Sequence, residues 1–140
     1  MTIRPLAAGE VGVAAVLGLA RLDHPDGVYF VAWDGDEALG HARLSLADPP
    51  EVQDVTVREE HRRRGVASAL TEAVEREAAA RGVERLRVTV SVDNDAAQAL
   101  YRARGYADID IPPRRVVGTI ALRTDPIEVD DTLLTWEKRL

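Results

Sequence analysis

The stretch from Val55 to Ala67 constrains the fold of this chain most. It passes from a β-patterned run, Val55-Thr56-Val57, through an arginine-rich turn to Gly65 and then into an alanine-rich segment. Val66, Leu70, Val74 and Ala78 recur at i, i+4 spacing, which predicts a helix to about Arg81 that Gly82 closes. Arg62, Arg63 and Arg64 therefore stand at the N-terminal end of a helix. That end carries about half a positive charge from aligned peptide dipoles, so cations there repel it unless an anion lies between them. The first-turn amides lack intrahelical acceptors and point at the same place. Gly65 lets the backbone approach closely, and Ala67 keeps the next position small. The arrangement predicts a phosphate site; bare arginines alone would equally describe a solvated turn.

The flanking sequence supplies a sheet. Residues 1 to 5 read as an edge strand ended by Pro5, and residues 7 to 21 as a helix with apolar positions Val11, Ala14, Ala15, Leu19 and Leu22 at helical spacing. After the turn signal Pro25-Asp26-Gly27, Val28 to Trp33 reads as a strand, Asp34-Gly35-Asp36 as a hairpin turn and Ala38 to Leu46 as its partner. Asp48-Pro49-Pro50 breaks the pattern before a strand at Glu51 to Val57. Leu86, Val88, Val90 and Val92 alternate with polar residues, a strand signature. Asp93-Asn94 then caps a short helix through Ala103, ended by Gly105. Residues 105 to 111 extend again, and residues 115 to 122 and 131 to 139 read as strands around an acidic loop, Thr124 to Asp131. Hairpins imply antiparallel pairing and crossover helices imply a parallel neighbour. The expected fold is an α+β sandwich: a mixed, mostly antiparallel sheet of six to seven strands with helices on both faces, all 140 residues forming one domain.

Composition removes several function classes. The chain has no cysteine, so disulfides, thiolate-bound zinc and cysteine nucleophiles are excluded. His24, His41 and His61 show no ligand spacing, so no catalytic metal is expected. A net charge of −6 argues against nucleic acid or an anionic membrane as partner. The N-terminal residues lack a long apolar core and no run reaches a membrane span, so a cytoplasmic protein is expected. The arginine turn is a basic island on an acidic protein, which suits a small polyanion.

Arg62-Arg63-Arg64-Gly65-Val66-Ala67, following Gln53-Asp54-Val55-Thr56-Val57, resembles the pyrophosphate-binding signature of the GNAT superfamily of N-acetyltransferases. A second motif of that family is matched by Asn94 to Tyr106, about 30 residues further on, and the close of the chain, Leu133 to Leu140, is similar too. Residues 51 to 106 carry the specific match. The resemblance implies the GNAT-like acyl-CoA N-acyltransferase fold, with acetyl-CoA as co-substrate and no metal. It also implies backbone contacts from Val55 and Val57 to the pantetheine arm. Backbone amides from Arg63 to Ser68 (Arg63, Arg64, Gly65, Val66, Ala67 and Ser68), with the arginine side chains including Arg62, would hold the pyrophosphate.

Acetyl transfer needs the thioester held beside an amine, a donor for the developing oxyanion, and proton transfers from the amine and toward the leaving thiolate. By the resemblance, Tyr101 is the candidate acid near the sulfur; alone it would read as a half-buried aromatic on a helix. Asn94 reads as a helix cap, a cofactor contact, or both. The base stays open among Glu51, Asp54, His41 and a water relay, with Glu51 the candidate that some family members suggest. On strict alternation Asp54 faces away from Glu51.

The expected acceptor is the primary amine of a small molecule or peptide, and the expected assembly a monomer or homodimer. The acidic segment Asp125 to Asp131 would attract a cationic amine if it folded over the cleft, or else is a solvated loop. Residues 115 to 122 would shape the acceptor pocket or form a dimer edge. Two other readings remain at this stage. One is a non-catalytic acyl-CoA-binding or regulatory module; the other is a nucleotide- or phosphopeptide-binding protein, which the lack of a Gly-x-x-x-x-Gly-Lys-Ser/Thr loop disfavours.

Overall fold

The computed structural model describes residues 1–10, 19, 26–121 and 126–140. Its strands are β1 (Thr2–Pro5), β2 (Gly27–Asp34), β3 (Glu37–Ser45), β4 (Glu51–Val57), β5 (Arg85–Ser91), β6 (Ala107–Asp108), β7 (Arg114–Ala121) and β8 (Pro126–Arg139). Helix α1 (Val66–Ala80) follows β4, and α2 (Asp95–Ala103) follows β5. The strands form one sheet in the order β1-β2-β3-β4-β5-β8-β6, with β7 also paired to β8. Every pairing is antiparallel except β4 with β5. Among the described residues the sheet has eight strands where six to seven were expected, the shortest being the two-residue β6.

Alternation along β5 explains which face is covered. Leu86, Val88 and Val90 are buried and join Val52 and Val57 of β4, Trp136 of β8 and the α1 stripe Val66, Leu70, Val74 and Ala78 in one core. Tyr101 of α2 and Tyr106, three residues past its end, enter the same core. Both described helices thus lie on one face. On the other, Tyr29, Val31 and Trp33 of β2 form a second cluster with Ala38 and Leu19. The helix expected over residues 7 to 21 lies largely outside the described residues; Leu19 is described, and is 1% exposed.

Two departures from the sequence reading matter. The acidic segment is not a loop: residues 126 to 131 form the first half of β8 and pair with β7. Its alternation of Ile127, Glu128, Val129 and Asp130 is the period of a strand, which the density of charge had obscured. Strand β4 is also irregular. His41 faces Thr56 and Arg43 faces Gln53, so β4 carries one residue more than β3 between these pairs. Asp54 takes a left-handed φ of 53° at that bulge, a conformation aspartate tolerates better than most residues.

The bulge stands where the sheet comes apart. β4 and β5 pair only at Glu51–Arg87 and Val52–Val88, after which the two strands separate. Glycine at position 40 helps hold β4 on its other side, because a Cβ there would lie 2.5 Å from the carbonyl oxygen of Thr56.

Candidate active site

Two connected compartments occupy the opening between β4 and β5. The larger, about 740 Å³, is lined by Val55 and Val57 of β4, the turn before α1 and the start of α2. The smaller, about 330 Å³, is lined from the helix face by Val52, Val90 and Tyr101, and from the other face by Glu51, Gln53, Asp54, Thr89 and Ser91. Val55, Asn94 and Ala97 border both. The opening therefore runs through the sheet.

The turn before α1 leaves its backbone amides exposed and uncapped. Arg63 at φ 65° and Gly65 at φ 76° are left-handed at alternate positions, which folds successive N–H groups onto a concave surface. Gly65 is the N-cap of α1 and supplies no side-chain cap, and the first turn of the helix contains no acidic residue. The amides of Val66, Ala67 and Ser68 are the donors a helix leaves without intrahelical acceptors. Space beside the Gly65 Cα is open, so the glycine is required by its φ and not by crowding.

The three arginines do not act alike. Arg62 and Arg63 line the larger compartment, whereas the exposed Arg64 is not among its lining residues. Arg62 also donates from Nε to the carbonyl oxygen of Val57 at 3.1 Å, tying the turn to the strand end. His61 adds a second tie, its Nε2 lying 2.8 Å from Glu37 of β3. Asn94 accepts from the Ala97 amide at 3.0 Å and caps α2 while bordering both compartments, so its two suggested roles are geometrically compatible.

Tyr101 is buried at the apex of the opening, its ring edge-on to Tyr106 at 5.5 Å. Burial, with a smaller contribution from the charge of Glu51, pushes its phenol up to about 12. The group is a donor at any physiological pH and never a base. Tyr106 is core, as expected, and also donates to Glu75 at 2.9 Å.

The base candidates separate. Glu51 is half-buried beside the apex. Asp54 does not face away from it: the bulge breaks alternation and brings both residues to the smaller compartment. Its carboxylate accepts from the Tyr29 hydroxyl at 3.0 Å. His41 is 2% exposed, packs edge-on to Tyr29 at 5.7 Å and lines neither compartment. Residues the sequence reading missed include Leu100 and Ala96 in the larger compartment and Thr89 and Ser91 in the smaller. Alternation along β5 places Thr89 and Ser91 on the face opposite its buried valines, which was the available signal. Among the described residues no group of three or more His, Asp or Glu could hold a metal ion, and no helix is long and apolar enough to cross a membrane.

Comparisons with known proteins bear on the family and the fold. The family model described as the acetyltransferase (GNAT) family matches residues 10–106. An uncharacterized N-acetyltransferase of Bacillus subtilis (strain 168), YsnE, is 32% identical over 94 residues, covering 64% of this chain and 62% of the relative. The chain thus matches under two thirds of that relative's length. A GNAT family acetyltransferase from Elizabethkingia anophelis, solved with acetyl-CoA bound, superposes with a TM-score of 0.78 at 20% identity, over 99% of this chain and 97% of that one. The ribosomal-protein-S18-alanine N-acetyltransferase from Escherichia coli gives 0.77 at 20% identity, over 99% and 92%. At these identities the structures support the fold alone.

Proposed function

The chain belongs to the GNAT acetyltransferase family, and on that premise we propose that it transfers an acetyl group from acetyl-CoA to the primary amine of a small molecule or peptide. The observation that carries this reading is the parting of β4 from β5 after two residue pairs, with an uncapped, anion-ready helix end on one side and Tyr101 at the apex.

Acetyl-CoA enters from the helix face. Its pyrophosphate rests on the amides from Arg63 to Ser68, with Arg62 and Arg63 adding charge-assisted contacts. The pantetheine arm runs along Val55 and Val57 as an added strand, and an amide of β4 donates to the thioester oxygen. The amine comes from the other face, where Glu51 receives its proton directly or through water. The amine nitrogen bonds to the thioester carbon as the carbon–sulfur bond breaks. Tyr101 donates a hydrogen bond to the departing sulfur. With a phenol near 12 and a thiol of about 8.5, full proton transfer would run uphill, so stabilisation of the thiolate is its contribution. No covalent enzyme intermediate is required, in keeping with a chain that has no cysteine.

Calorimetric titration with acetyl-CoA, with ATP as control, followed by an amine screen read by thiol release, tests the proposal. Micromolar binding with release in the presence of an amine supports it. Binding without release from any amine would assign an acyl-CoA-binding module instead.

A further inference from the structure

Past the apex, on the face away from the helices, a third compartment of about 590 Å³ is lined by Glu51, Arg87, Thr89, Arg114 and Thr135, with Pro112 and Pro113 at its wall. Register explains why these residues meet. Glu51 faces Arg87 across β4 and β5, Thr89 faces Thr135 across β5 and β8, and Ser91 and Arg114 both face Leu133. Partners in a ladder project to the same side of a sheet. Glu51, with Thr89 beside it, belongs to this compartment and to the one at Tyr101, so the two are continuous.

The charges of this compartment are unevenly satisfied. Arg87 donates to Glu137 at 3.0 Å, and Arg115 makes two bonds of 2.9 Å to Asp130. Asp131 accepts from the Ser91 hydroxyl at 2.8 Å. Asp130 and Asp131 of the acidic segment are therefore already engaged. Arg114 is exposed and makes no ion pair with any described residue. The compartment thus offers a carboxylate at one end, Glu51, and an uncompensated guanidinium at the other.

We propose that the acceptor is a zwitterion of the amino-acid type, whose carboxylate is held by Arg114 while its amine lies at Glu51 and the apex. This rests on the transferase reading above. Register bounds the span: Arg114 lies three strand spacings across the sheet and four residues along it from Glu51, roughly 19 Å between Cα atoms, and an extended arginine and glutamate cover most of that distance. The anionic group must then lie within a few bonds of the reacting nitrogen. A carboxylate matches one planar guanidinium through paired N–H···O bonds. A phosphate dianion would call for more than one free cation, and the neighbouring arginines are neutralised.

The test is steady-state kinetics with acetyl-CoA and two sets of acceptors: free amino acids, and the same amino acids as carboxamides together with their decarboxylated amines. The expected result is at least a ~10-fold higher kcat/KM for free acids, carried by KM. Arg114→Gln raises KM for the acids by about the same factor without changing the acetyl-CoA Kd, and Arg114→Lys restores part of the loss. Equal or better turnover of the carboxylate-free set, or an acid preference that survives Arg114→Gln, overturns the acceptor proposal and leaves the transferase reading standing. No thiol release with any member of either set overturns the acceptor proposal, and the transferase reading falls with it only when the wider amine screen also gives none.

Discussion

Glu75 of α1 and Arg104, the residue that ends α2, are joined by a bond of 2.6 Å although 29 positions separate them. Lys138 of β8 and the Tyr106 hydroxyl complete the shell around this buried carboxylate, at 3.1 Å and 2.9 Å. Arg104 also reaches the Ser68 hydroxyl at 3.3 Å. One guanidinium therefore links the end of one helix to the uncapped first turn of the other.

Glu75→Gln should cost about 2 kcal/mol of stability, because the substitution leaves the partly exposed Arg104 and Lys138 without their buried counter-charge. Burial alone would raise the Glu75 carboxyl, but Arg104, Lys138 and Tyr106 outweigh it and hold the group below its usual 4.5. A depressed carboxyl contributes stability above the unfolded value and loses it as pH falls from there. Urea unfolding should show the full gap between wild type and variant at pH 7, narrowing below about pH 4.5. A gap unchanged at pH 3.5 would contradict this assignment.

Tyr101→Phe should lower kcat about 100-fold while leaving the acetyl-CoA Kd unchanged. Because the phenol is raised to about 12, the wild-type rate should show no tyrosine-linked fall between pH 8 and about 10. A decline there that the variant lacks would place the ionisation elsewhere than the structure does.

Replacing Arg62, Arg63 and Arg64 together with alanine should raise the Kd of CoA at least 30-fold, about 2 kcal/mol. The single variants should not share this equally. Arg64→Ala should have little effect, since Arg64 does not line the compartment, while Arg62→Ala should also loosen the end of β4 that it holds. Calorimetry on the four variants distinguishes these outcomes.

Gly40→Ala should destabilise the fold by about 2 kcal/mol through overpacking against the Thr56 carbonyl. The change pushes β3 away from the bulged strand, so CoA binding should weaken along with the melting temperature. A variant with a normal Tm would show that the strands can separate there freely.

Much of the candidate site's local geometry could be read from the chain because it depends on near neighbours. The arginine turn, the glycine before α1 and the Asn94 cap each depend on residues within a few positions of one another. What escaped the reading depends on neighbours distant in sequence. Nothing around Asp54 distinguishes a bulge from ordinary alternation, since the extra residue is visible only against β3. The acidic residues 126 to 131 read as a loop until β7 supplied a partner. The Glu75 shell joins two helices and the last strand, and its glutamate sits within a run of other charged and small residues in α1.

The opening between β4 and β5 has a kinetic consequence. A passage with one mouth makes two reactants queue, whereas this one has a mouth on each face of the sheet. On the proposed transferase reading, donor and acceptor can be present together, and neither must leave before the other arrives. Double-reciprocal plots at several fixed acceptor concentrations should therefore intersect instead of running parallel, the pattern of a complex holding both substrates at once.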